Sequence, residues 1–125
     1  MSFIAAAAQY PIEQLADWAA YQAKLSRWVA EAADGGARLA VFPEYGAMEL
    51  AALDPATMDD LRQSLSSVSS FLQRVDDLHC ELAARYELHL LAASLPAWHQ
   101  DRWVNRARLI VPNGKIGVQD KLVMT

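Results

Sequence analysis

Leu39-Ala40-Val41-Phe42-Pro43-Glu44 is a short, wholly apolar run closed by a proline and followed at once by an acid. Such a run reads as a buried strand, because proline cannot donate to a sheet ladder and so ends it. Working back, Gly35-Gly36 stops a helix, since glycine takes the left-handed cap without steric cost. Upstream of the glycines, Trp18, Tyr21, Leu25, Trp28, Val29 and Ala32 recur at steps of three or four and make one apolar face. Asp17 caps that helix, its carboxylate accepting free N–H groups of the first turn. Phe3 to Tyr10 is another apolar run, ended by Pro11, and reads as a buried strand. Strand, helix and strand with tight links make a βαβ unit, which implies parallel neighbours.

Working forward, a mixed stretch from Glu44 to Pro55 leads to one long helix. Thr57-Met58-Asp59-Asp60 resembles a capping box with Asp in place of the usual Glu or Gln. Leu61, Leu65, Val68, Leu72, Val75, His79, Leu82 and Tyr86 then step by four and three. Leu88 to Leu95 is a third strand ended by Pro96, with Trp98 to Arg102 as a connection. Trp103 to Val111 alternates, with Trp103, Ala107, Leu109 and Val111 on one side, Asn105 among them, and Arg106 and Arg108 on the other. Asn113-Gly114 predicts a type I′ turn that pairs Val111 with Ile116 and Leu109 with Val118 in a returning strand, Lys115 to Leu122. The order β-α-β-α-β-β-β is mixed α/β, parallel at its start and antiparallel at its end. Two helices can cover one face of this sheet. Runs that are apolar throughout, such as Val41-Phe42 and Leu90-Leu91, call for cover on both faces, so the chain reads as half of a larger layered domain.

Composition narrows the function classes. The chain has 125 residues, room for one domain, with 54% hydrophobic and 21% charged residues. Lys+Arg 11 against Asp+Glu 15 gives a net charge of -4, which argues against a nucleic-acid surface. No apolar run approaches the roughly 20 residues of a membrane span, and the apolar N-terminus lacks the basic region of a signal peptide. One cysteine, Cys80, rules out an internal disulfide and fits a reducing compartment, so a cytoplasmic protein is expected.

Two residues stand out as candidates for chemistry. Glu44 follows a buried strand, where functional groups of α/β sheets gather, with Pro43 and Gly46 to set the local backbone. Its other reading is an exposed loop carboxylate. Lys121, in Gln119-Asp120-Lys121-Leu122, could stabilise an anion in a cleft, or simply guard a strand edge. Cys80 lies within the long helix and lacks the basic neighbours that would activate a thiol, so it reads as a semi-buried core residue. His79, His89 and His99 have no metal-ligand spacing, and His79 reads as a hydrogen-bonded core histidine. Trp98 and Trp103 read as an aromatic pair at the base of their own hairpin.

Val41-Phe42-Pro43-Glu44-Tyr45 resembles a motif of the nitrilase superfamily, the carbon–nitrogen hydrolases. In order along the chain, Ala6 to Pro11 is similar to that family's first strand, and Glu31 to Ala37 to the helix end before its acid. Asn105-Arg106-Ala107, Pro112 to Lys115 and Gln119 to Leu122 resemble the hairpin leading to its lysine. Glu44 and Lys121 are 121 − 44 = 77 residues apart. The resemblance implies an αββα sandwich, of which this chain is half: a mixed sheet with two covering helices. It also implies a Glu-Lys-Cys triad cleaving an amide or nitrile of a small molecule, without a cofactor. Glu44 would be the general base for the thiol and for water, and Lys121 would stabilise the tetrahedral intermediate.

The departure is the nucleophile. In the family it lies on a strand beyond the lysine, whereas this sequence continues only to Thr125 and Cys80 does not match. Residues 1–125 therefore read as the N-terminal part of one hydrolase domain, truncated after the lysine motif and inactive alone. A second segment or chain would supply the rest, and the complete protein would be a homo-oligomer. Two other readings compete. One is a non-catalytic α/β module that binds a partner protein through the exposed sheet face. The other makes the Leu61-to-Tyr86 stripe a dimerising coiled coil.

Overall fold

The structure is a computed structural model that describes residues 2–54 and 60–122. Five strands form one sheet in chain order: β1 (Ile4–Ala7), β2 (Ala37–Val41), β3 (His89–His99), β4 (Arg102–Ile110) and β5 (Ile116–Asp120). The pairs β1–β2 and β2–β3 are parallel, while β3–β4 and β4–β5 are antiparallel. The expected mixed sheet is present. Helices α1 (Trp18–Asp34), α2 (Leu61–Ser70) and α3 (Leu72–Tyr86) pack on one face, joined by a 3-10 segment, Gly46–Leu53. Val29, Leu50, Val68, Val75, Leu82, Leu90 and Ile110 form the dry layer between sheet and helices.

Local chemistry explains most boundaries. Asp17 caps α1 by accepting from the Ala20 N–H at 2.8 Å. Gly36, at φ 81, ends it in the left-handed region, with its N–H on the Ala33 carbonyl. Of the expected capping box, Thr57, Met58 and Asp59 lie outside the described residues. Asp60 itself caps α2, accepting from the Gln63 N–H at 2.9 Å.

Several expectations need correction. The single long helix is two, broken at Phe71, which stacks on Trp18 at 6.0 Å. The break follows a serine-rich turn in which the Ser70 hydroxyl donates back to the Ser67 carbonyl, a bond that bends helices. A continuous coiled-coil stripe is thereby removed, and Val68, Val75 and Leu82 face the core instead. The first strand is an edge, not a buried run, and leaves Ile4 exposed. Pro96 does not end the third strand. The pairing shifts register between Ala92 and Leu95, and Pro96 then sits opposite Asn105.

The connection expected over Trp98 to Arg102 is a tight hairpin turn, and the type I′ turn expected at Asn113-Gly114 does not form. Gln100 and Asp101 both have positive φ, at 49 and 62, and close a two-residue turn between His99 and Arg102. Trp98 and Trp103 meet edge-to-face beside it, with centroids 5.2 Å apart. At the second hairpin only Gly114 has positive φ, and its N–H bonds the Val111 carbonyl. Pro112 suits the second position of a type I turn, so the loop gains a residue and Ile116 pairs with Ile110, not Val111. Leu109 likewise faces Gly117 rather than Val118. On β4 the side that carries Arg106 and Arg108 is the one turned to the helices. Arg108 is only 1% exposed, on the helix side, with its Nε on Asp76 of α3 at 2.8 Å and its Nη1 on the Ala93 carbonyl.

Candidate active site

Glu44 stands just past the carboxyl end of β2, among three parallel strands. The backbone that aims it is tightly specified. Phe42 extends the pairing through its N–H to the Leu91 carbonyl. Tyr45 takes a left-handed conformation, φ 55, and its N–H donates to Ser94 Oγ at 2.7 Å. Gly46 follows in a contact too close for a side chain, since a Cβ there would lie 2.8 Å from Ala93 Cβ. The 3-10 segment after it carries Glu49 into the core. There Glu49 accepts from the Lys24 ammonium at 2.6 Å and from the Tyr10 hydroxyl. Lys24 also reaches the Pro11 carbonyl and Glu13, so α1, the loop after β1 and the segment after Glu44 are tied together. Burial and then Glu49 hold the Tyr10 phenol well above its ordinary range, which keeps it a donor.

Lys121 arrives from the other side of the sheet's carboxyl end. Its N–H bonds the Asn105 carbonyl at 2.9 Å and prolongs the β4–β5 ladder. Alternation along this strand then sorts two neighbours. Asp120 turns to one face and is held by Arg106 through two bonds, 2.7 and 3.1 Å. The Arg106 guanidinium, through those bonds, pulls the Asp120 carboxyl below its usual range. Lys121 turns to the opposite face, where its Nζ lies 2.9 Å from Glu44 Oε1.

The two candidate residues therefore meet, on the sheet face that no helix of the described residues covers. Asn105 joins them, its Nδ2 donating to the same Glu44 Oε1 at 2.8 Å. Around them is a recess of about 270 Å³ with Phe42, Leu91, Ser94, Ala107 and Gln119 in its wall. A carboxylate, an ammonium and an apolar wall can move a proton and stabilise a developing anion. A larger groove of about 610 Å³, lined by Phe3, Arg38, Leu39, Glu87, His89 and Leu109, lies at the amino end of the same strands. Ligands of parallel sheets gather at the carboxyl end, which favours the recess.

Cys80 is elsewhere. It is half-buried on α3 with its Sγ 4.0 Å from the Gly114 carbonyl, at the far tip of the β4–β5 hairpin from Lys121. Burial, and then Asp76 and Asp77, push its thiol up, away from thiolate character. His79 is the buried core histidine expected, its Nδ1 2.7 Å from the Val75 carbonyl. Among the described residues, no group of three or more His, Cys, Asp or Glu is placed to hold a metal ion, and no helix is long and apolar enough to cross a membrane.

The carbon-nitrogen hydrolase family model matches residues 4–125. The chain belongs to the carbon-nitrogen hydrolase family. No curated protein matches its sequence significantly. Among solved structures, the carbon-nitrogen hydrolase from Helicobacter pylori G27 is similar, at 18% identity and a TM-score of 0.68, covering 97% of this chain and 40% of that one. A double mutant of the amidase from Nesterenkonia sp. AN1, in complex with acrylamide, aligns at 14% identity and a TM-score of 0.60, covering 97% and 43%. These likenesses are of fold. The chain spans about two-fifths of those structures' length.

Proposed function

We propose that residues 1–125 are the N-terminal half of a carbon–nitrogen hydrolase domain that cleaves an amide or nitrile of a small molecule. The observation that carries this reading is the contact between Glu44 and Lys121, two family-motif residues 77 positions apart that meet at 2.9 Å in one recess. A cysteine from outside these residues completes the site, and the 125-residue chain alone is inactive. As a fold element the pair has little value. Half-exposed ion pairs contribute about 0–1 kcal/mol, so its placement speaks for chemistry.

The steps for an amide follow from the groups present. Glu44 takes the thiol proton as sulfur bonds to the substrate carbon. Lys121 stabilises the oxyanion that forms as the carbonyl opens. Collapse breaks the C–N bond while Glu44 returns the proton to the leaving nitrogen, giving a thioester and an amine or ammonia. Water then attacks the thioester, Glu44 accepting its proton and passing it to the departing sulfur. The product is a carboxylic acid. The same reading makes the complete protein a homo-oligomer and, in keeping with the free thiol of Cys80, a cytoplasmic one.

Glu44→Gln in the complete protein tests the assignment. It should abolish turnover, a loss of about a thousandfold or more, while the circular-dichroism spectrum and melting temperature stay unchanged. Retained turnover would remove Glu44 from the chemistry. The exposed sheet face also suits a partner-binding module, but that reading gives the buried Asn105 and the ion pair nothing to do.

A further inference from the structure

We infer that Asn105 is a positioning residue for Glu44: its amide fixes Oε1 beside Lys121 and leaves Oε2 as the oxygen that carries the proton. The inference rests on the proposed hydrolase reading. Both donors, Asn105 Nδ2 at 2.8 Å and Lys121 Nζ at 2.9 Å, fall on the same carboxylate oxygen. No donor among the described residues reaches Oε2. A carboxylate held this way has one oxygen anchored and the other free to face a reacting group.

The rest of Asn105 argues that the fold alone does not call for it. The residue is only 4% exposed, in mid-strand, opposite Pro96. Its backbone carbonyl accepts the Lys121 N–H, a bond any residue would make. The side-chain Oδ1 is buried and has no partner among the described residues. The amide cannot be turned to relieve this, because a carboxylate only accepts and Nδ2 must face Glu44. An orphaned buried carbonyl costs stability, and an apolar side chain of the same size would avoid that cost. What Asn105 supplies in return is the bond to Glu44, whose own side chain is half-exposed and would otherwise sample solvent. The charged groups that line this recess are Glu44 and Lys121, and the helices contribute none.

The test compares Asn105→Leu, Asn105→Asp and Glu44→Gln in the complete protein, reading kcat, KM and the melting temperature. Leu keeps the branched shape and removes the donor, while Asp keeps the shape and replaces the donor by an acid. Either change should lower kcat about 10- to 100-fold with KM within about twofold, the loss of one bond to a charged group. The melting temperature of the Leu variant should stay within about 3 °C of the parent. An unchanged kcat in both variants would overturn the inference, as would activity lost only in proportion to stability. The hydrolase reading would survive that result if Glu44→Gln is inactive. An active Glu44→Gln would instead overturn the hydrolase reading itself.

Discussion

Gly46 shows how a single residue can aim another. Its φ is ordinary, so the constraint is steric: a Cβ would meet Ala93 Cβ at 2.8 Å and Pro43 Cγ at 3.2 Å. Gly46→Ala should therefore cost about 1–3 kcal/mol in urea denaturation, as overpacking does. At Gly114 the reverse holds, with open space around it and φ 90. His79 gives a prediction in pH. Burial, aided by the nearby Arg108 charge, pushes its imidazole down to about 4. Between that value and an unfolded value near 6.5, the unfolded chain takes up a proton that the folded one refuses. Stability should thus fall as pH drops from about 6.5 to about 4, by up to about 3 kcal/mol, and then stop falling on this account. His79→Met should show a shallower loss over that window, and parallel curves for the two proteins would refute the assignment. Glu44 and Lys121 were legible because each sits on a motif. Asn105 fell within the motif stretch Asn105-Arg106-Ala107 and stood as a polar residue among apolar ones, but neither signal gave it a role. Glu49 and Lys24 had no such signal, since their partners are brought together by the fold.

Elements carry the next lesson. The strand–helix–strand opening was readable because period, cap and stop agree at Asp17, Val29 and Gly36. The break between α2 and α3 was not, because the apolar steps continue through Phe71 and only the Ser70 back-bond betrays it. On β4, alternation sorted the residues onto two sides but did not tell which side the helices cover. In the fold the charge of Arg108 is met by Asp76, a partner on another element. The tie between α1 and the segment after Glu44 can be tested in the same terms. Lys24 and Glu49 have side chains 4% and 0% exposed, a buried pair whose separation leaves a charge stranded. Lys24→Met should cost about 3–5 kcal/mol by urea denaturation, and Lys24→Met with Glu49→Leu clearly less. Equal costs for the single and double variants would show that the pair's charge is not what matters.

At the scale of the molecule, the sheet has one dry face and one open face. Helices cover the first. The second carries the recess, and its edge exposes Phe3 at 62% and Leu109 at 39%. Apolar side chains on an uncovered sheet favour association, so the 125-residue chain alone should sediment as more than a monomer at micromolar concentration. A sharp monomer at all concentrations would count against a half-domain. The central claim is that Glu44 and Lys121 serve a thiol from outside this segment. The direct measurement is to quench the complete protein during turnover of an amide and map the acyl adduct by mass spectrometry. The account predicts a thioester on a cysteine beyond Thr125, absent when Glu44 is replaced by Gln. An adduct on Cys80, or one that forms equally well in the Glu44→Gln protein, would contradict it.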